Sequence, residues 1–131
     1  MTPTGMDVCS VAEAVRNKIF WSNDMSNLFS NPQNYVDAIE YQSNAIVSKT
    51  IIQNKSGNIT LFAFWEGQRL SEHTAPFDAF VMVLDGQFTI TIGGKENNVK
   101  AGEAIILPAN VPHALIALQN AKMLLVMIKE G

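Results

Sequence analysis

At 131 residues, 47% of them apolar and 16% charged, the chain has the composition of one globular domain, large enough to bury a core without disulfides or a structural metal. Its net charge of −3 comes from twelve acidic and nine scattered basic residues, so no basic field exists for phosphate backbones and no nucleic-acid partner is expected. The longest aliphatic run, residues 123–128, is far below the ~18–20 apolar residues that span a bilayer, which argues against a membrane partner.

Residues 1–34 are rich in Asn, Ser and Met and are read as a helical or irregular extension before a main domain over 35–131. Met1-Thr-Pro-Thr-Gly-Met-Asp7 lacks the charged-then-apolar order of an export signal, and Cys9, the only cysteine, is expected to be an inert thiol. A cytoplasmic protein is expected. Ser10-Val-Ala-Glu13 has capping-box form, and Val11, Val15 and Ile19 share one helical face. This predicts a short amphipathic helix covering an apolar face of the main domain. Met25, Leu28 and Phe29, between the turn signals Asn23-Asp24 and Asn31-Pro32, fit a further helical turn. Residues 35–41 fit either a helical turn or an extended arm.

From residue 46 the period changes to two. Segments 46–53 and 59–65, separated by Lys55-Ser-Gly57, predict an antiparallel hairpin. Further strands are predicted at 70–73, 78–85, 87–92, 96–99, 104–107, 113–118 and 122–128, with Gly93-Gly94 and Lys100-Ala-Gly102 as turns. Many short strands at close spacing indicate an all-β sandwich or barrel. The apolar alternation of Phe80, Met82 and Leu84 and the 123–128 run exceed what one interior absorbs, so part of them should meet a helix or a second subunit. Asn58-Ile-Thr60 matches a glycosylation sequon and, without an export signal, is read as chance.

Residues 67–117 hold both histidines. Gly67, His73 and Gly86, then Gly102, Pro108 and His113, stand in the spacing of two sequence motifs, and in this the chain resembles the cupin superfamily. The resemblance covers roughly residues 45–128 and implies a cupin-type antiparallel β-barrel or jelly roll. It also implies a metal held by three His and one Glu, of which only His73 and His113 are in place. Ala75 stands at the second His position and Ala79 at that of the Glu, while Asn110 and Ala117 replace a Gly and an Asn. A catalytic ion normally has about three protein ligands. If one binds, imidazole with oxygen donors suits Zn, Fe, Ni or Mn. Asp78 is the nearest carboxylate, but strand alternation should point it away from the face of Ala79, and it is read rather as bracing the Ala75-Pro-Phe77 corner.

Two alanines in place of bulky ligands predict an enlarged apolar cavity with two imidazoles in it, walled by Phe62, Phe64, Phe77 and Phe80. Unmetallated histidines could bind an anion, orient a carbonyl or move a proton. The candidate ligand-binding residues are His73, His113, Phe77, Asp78 and Phe64. Two functions are therefore carried forward. One is a metal-free or weakly metal-binding protein for a small-molecule ligand. The other is a metal-dependent enzyme, similar to small cupin dioxygenases and sugar isomerases, using His73 and His113, with Asp78 as a third ligand if a bulge or twist at the strand start turns it inward. A homodimer is expected in either case.

Overall fold

The structure is a computed structural model and describes residues 19–22 and 30–129. Among the described residues ten strands follow one another: β1 (Ile19–Ser22), β2 (Ile46–Asn54), β3 (Gly57–Phe64), β4 (Arg69–His73), β5 (Asp78–Asp85), β6 (Gln87–Ile92), β7 (Lys95–Lys100), β8 (Ala104–Leu107), β9 (His113–Ala117) and β10 (Ala121–Ile128). They form a six-stranded sheet in the order β1-β2-β3-β10-β5-β8 and a four-stranded sheet in the order β4-β9-β6-β7. Every pairing is antiparallel except that of β1 with β2, where Ile19 lies opposite Ile46 in a parallel register. The predicted helix over residues 10–18 and the helical turn over 25–29 lie outside the described residues. Ile19, which its spacing assigned to the helical face, begins a strand instead.

The two sheets close on one apolar core. Along β5, Ala79, Val81 and Val83 are buried while Phe80 and Met82 are half-buried, the alternation of a strand with one face in the core. Phe64 and Phe88 come from opposite sheets and meet edge to face, centroids 5.0 Å apart, with Phe62 behind them at 6.1 Å from Phe64. Asn58 is only 3% exposed, so the sequon asparagine is buried and presents no acceptor to a glycosylating enzyme.

The outer face of the larger sheet is treated in two ways. Half of it is covered by residues 35–41, which form a 3-10 turn over Tyr35–Asp37 started by Asn34, whose Oδ1 accepts from the Val36 amide. Ile39 packs there with Leu61 and Ala63, flanked by Leu84 and Leu124. Polar ties fix this arm. Lys122 Nζ donates to the Val36 carbonyl at 2.5 Å and stands 4.9 Å from the Tyr41 ring centroid, and Lys49 Nζ donates to the Ala38 carbonyl at 2.7 Å. The Tyr41 hydroxyl donates to Asp85 Oδ2 at 2.6 Å, and burial together with that carboxylate holds its pKa well above the usual tyrosine range. The other half is open: Ile106, Phe80, Val126, Ile59 and Ile52 form one apolar row across five strands, with Ile106 51% and Ile52 52% exposed. The surplus of apolar residues anticipated from the sequence is thus divided between the arm and this row.

Candidate functional site

His73 ends β4 and His113 begins β9, and the two are direct partners across the strand pair. A bulge makes this possible. Leu70 pairs with Leu115 and His73 with His113, so β4 spends three steps where β9 spends two. Leu70 is buried in the core; strict alternation would send Glu72 inward with it and His73 outward. The extra residue reverses this, leaving Glu72 exposed and His73 facing His113 with ring centroids 4.5 Å apart and planes at 70°.

Each ring is anchored by its own strand. His73 Nδ1 lies 2.8 Å from the Ser71 carbonyl and His113 Nδ1 lies 3.1 Å from the Val111 carbonyl. A carbonyl only accepts, so each Nδ1 is the donor, and in the neutral imidazoles Nε2 carries the lone pair. The backbone has therefore set both tautomers, and the pair presents acceptors.

The cavity the rings border is lined by Ala75, Phe77, Ala79, Leu107, Leu125 and Met127 and measures about 20 Å³, room for roughly one water. This corrects the expectation of an enlarged chamber: Phe77 and the side chains from β8 and β10 fill the space that the two alanines vacate. Phe62 and Phe64 are fully buried in the core and do not wall the cavity, and Phe80 sits on the opposite face of its strand. Phe77 does line it. Asp78 does not, for no register shift occurs at the start of β5 to turn it inward. Its Oδ1 instead accepts from the Ala109 amide at 2.8 Å, so it braces the loop after β8 rather than its own corner. The Asn110 amide in turn donates to the Ala75 carbonyl at 2.7 Å, tying the same two segments together. Asn110 has φ +65°, a left-handed conformation that Asn tolerates better than most residues, which explains how it can stand in a glycine position. Leu107, Leu125 and Met127 were not among the residues chosen from sequence; their inward alternation was visible, but the pairing of β5 with β8 and β10 was not.

Two sheets closed into a barrel, with a histidine on each of two paired strands at one end, define a cupin-type architecture. The profile of the Cupin domain matches residues 60–129, and the chain belongs to the cupin family. Among solved structures, a conserved protein of unknown function from Streptococcus pyogenes superimposes with a TM-score of 0.77 at 31% identity, covering 82% of this chain and 95% of its own. A Cupin 2 conserved barrel domain protein from Leptotrichia buccalis is 43% identical with a TM-score of 0.68, over 72% of this chain and 46% of its own. A cupin superfamily protein from Desulfitobacterium hafniense gives 0.76 at 25% identity, over 81% and 98%. No curated protein matches the sequence. Among the described residues no helix is long and apolar enough to cross a membrane.

The metal that the family implies can be tested against the donors present. Among the described residues no group of three His, Cys, Asp or Glu side chains is placed to hold an ion. Both carboxylates near His73 turn away, Glu72 and Asp78 being exposed. Two imidazoles with Ala75 and Ala79 beside them do not make the set for a tightly held ion.

His113 is 5% exposed, and its pKa lies below the ordinary value of 6.5, first because burial disfavours the cation and second because His73 stands beside it; the Val111 carbonyl opposes the shift. A histidine depressed in the fold binds fewer protons there than in the unfolded chain. Stability is therefore full above about pH 6.5 and declines as pH falls from there toward the folded value. Denaturant melts at pH 7.5, 6.5 and 5.5 should show this decline in the native protein, with a smaller slope in His113→Gln. An equal slope in both proteins would show that His113 does not carry it.

Proposed function

We propose that this cupin binds a small molecule at the His73–His113 end of the barrel, without depending on a tightly held metal ion. One observation carries the reading: two imidazoles face each other 4.5 Å apart at an otherwise apolar cavity, each with Nδ1 committed to a carbonyl. Neutral, they offer two lone pairs and favour a ligand that brings hydrogen-bond donors, such as a hydroxyl or an amine. This modifies the expectation of an anion or carbonyl, which needs a protonated ring. A ligand larger than one water requires Phe77 and Met127 to move, and an unbranched methionine does so at low cost.

The test combines elemental analysis of untagged protein with a thermal-shift screen of a library of small hydroxylated and amine-bearing compounds. Hits should be metal-independent, and His73→Ala and His113→Ala should each weaken them about tenfold, the worth of one good hydrogen bond. Stoichiometric metal that disappears in either variant would favour the metal-dependent reading instead. Hits that bind both variants as well as the native protein would move the site elsewhere.

A second copy of the chain is the proposed cover for the open apolar row on the outer face. Light scattering should give twice the 14.4 kDa chain mass, and Phe80→Glu, in the middle of the row, should halve it. A native mass of 14.4 kDa at micromolar concentration would remove the dimer.

A further inference from the structure

The pairing of β10 runs one residue past Ile128. The Lys129 amide donates to the Ser56 carbonyl at 2.8 Å, in the turn that joins β2 to β3. Side chains alternate along an extended chain, so Lys129 falls on the same face as Leu125 and Met127, the two β10 residues that line the histidine cavity. A lysine therefore closes the inward-facing row.

Its ammonium is placed against the wall of that cavity. Lys129 Nζ lies 5.7 Å from the centroid of the Phe77 ring, and Phe77 lines the cavity with His73 and His113. Lys129 itself does not border the space; the ring is the shared neighbour of the ammonium and of the imidazoles' cavity. The charge is also uncompensated. Lys129 is half-buried, and among the described residues no carboxylate pairs with it. The acidic side chains beside the site are directed elsewhere: Asp78 accepts from the Ala109 amide, and Glu72 borders a groove on the outer face of the smaller sheet with Arg69 and Thr89. An ammonium set against an aromatic face gains from an anion, because a charge-assisted hydrogen bond to a carboxylate is stronger than the attraction of a ring. Any ligand larger than a water must move Phe77, and moving that ring takes away the lysine's partner as the ligand arrives.

We propose that Lys129 recognises a carboxylate on the ligand, so that the site takes a small hydroxycarboxylate: its hydroxyl donates to an imidazole Nε2 and its carboxylate accepts from Lys129 Nζ once Phe77 has turned aside. This rests on the reading of the histidine cavity as the ligand site and adds to it a substrate class and a specificity-determining residue. The negative charge goes to the lysine, while the neutral rings keep the acceptor role that their tautomers give them.

Glycolate is the probe, with ethylene glycol, which lacks the carboxylate, and acetate, which lacks the hydroxyl, as controls. Binding is read by NMR from the His113 and Phe77 ring protons of the full-length protein. Glycolate should bind at least tenfold more tightly than either control. Lys129→Met keeps the aliphatic stem and removes the charge; it should weaken glycolate about tenfold and leave ethylene glycol within twofold, and Lys129→Arg should restore most of the glycolate affinity. Glycolate that fails to bind the native protein, or that binds Lys129→Met as well as the native protein, overturns the proposal. So does an equal loss of glycolate and ethylene glycol in Lys129→Met, because a lysine that only supports Phe77 would lower both. Acetate bound as tightly as glycolate overturns the hydroxycarboxylate class. His73→Ala and His113→Ala judge the parent reading separately. Native glycolate affinity in both, with loss in Lys129→Met, removes the histidines and retains the lysine; loss in both, with native affinity in Lys129→Met, does the reverse.

Discussion

Replacing Gly86 by alanine is expected to cost roughly 3 kcal/mol or more, enough to unfold much of a marginally stable domain. Gly86 turns the chain between β5 and β6 with φ +71°, and a Cβ built on it would stand 2.2 Å from the Asn120 carbonyl oxygen and 2.8 Å from Ala121 Cα. Both are backbone atoms at the start of β10, so neither can rotate aside. Gly67 and Gly102, the two other motif glycines, share the left-handed conformation at +86° and +89°, but a Cβ on either meets nothing within 4 Å. Alanine there incurs only the strain of a positive φ, about 1 kcal/mol. Urea melts of the three single variants distinguish the cases. Equal losses at all three positions would show that the close approach at Gly86 relaxes freely.

The second large effect is a gain. Ala75→His combined with Ala79→Glu should give a chain that holds a divalent transition ion near one to one, more tightly than the native protein. Ala75 and Ala79 are each 6% exposed and border the same cavity as His73 and His113, so the variant places three imidazoles and a carboxylate around one point. Because that cavity is nearly full, the metal-free double variant should lose about 1–3 kcal/mol to overpacking, and added Zn should return it. Calorimetric titration with Zn, native against variant, reads the difference. Tight stoichiometric binding by the native chain, or none by the double variant, would refute the donor count on which the metal-independent function rests.

Much of the strand layout was readable because it is local. Alternation and turn residues placed β5, β6 and β8 at their observed bounds, since Gly86, Gly93-Gly94 and Gly102 mark where the chain reverses. Pairing is not local, and there the reading stopped. Ile19 shared a helical spacing with Val11 and Val15, yet its place opposite Ile46 in a parallel pair depends on a strand 27 residues away. The volume of the cavity was misjudged for the same reason. Two alanines on the β4–β5 segment leave a hole only if nothing arrives from elsewhere, and Leu107, Leu125 and Met127 arrive from β8 and β10. The bulge that turns His73 toward His113 has no residue signature of its own; in Arg69-Leu-Ser-Glu-His73 it emerges only from the register against β9. Asp78 was kept among the candidate ligands although period-two alternation, which local sequence does carry, already pointed it away from the face of Ala79, and it lies outside the cavity.

The arm over residues 35–41 is fastened by lysines, but their oxygen partners are main-chain carbonyls of Val36 and Ala38 rather than carboxylates. Lys122 is also nearly buried, at 9% exposure, with an aromatic ring beneath its ammonium. Mobile ions screen attraction between separated exposed charges and have little purchase on a short, desolvated contact between an ammonium and a dipole. The fastening is therefore indifferent to ionic strength, and the arm should stay docked in molar sodium chloride as firmly as in dilute buffer.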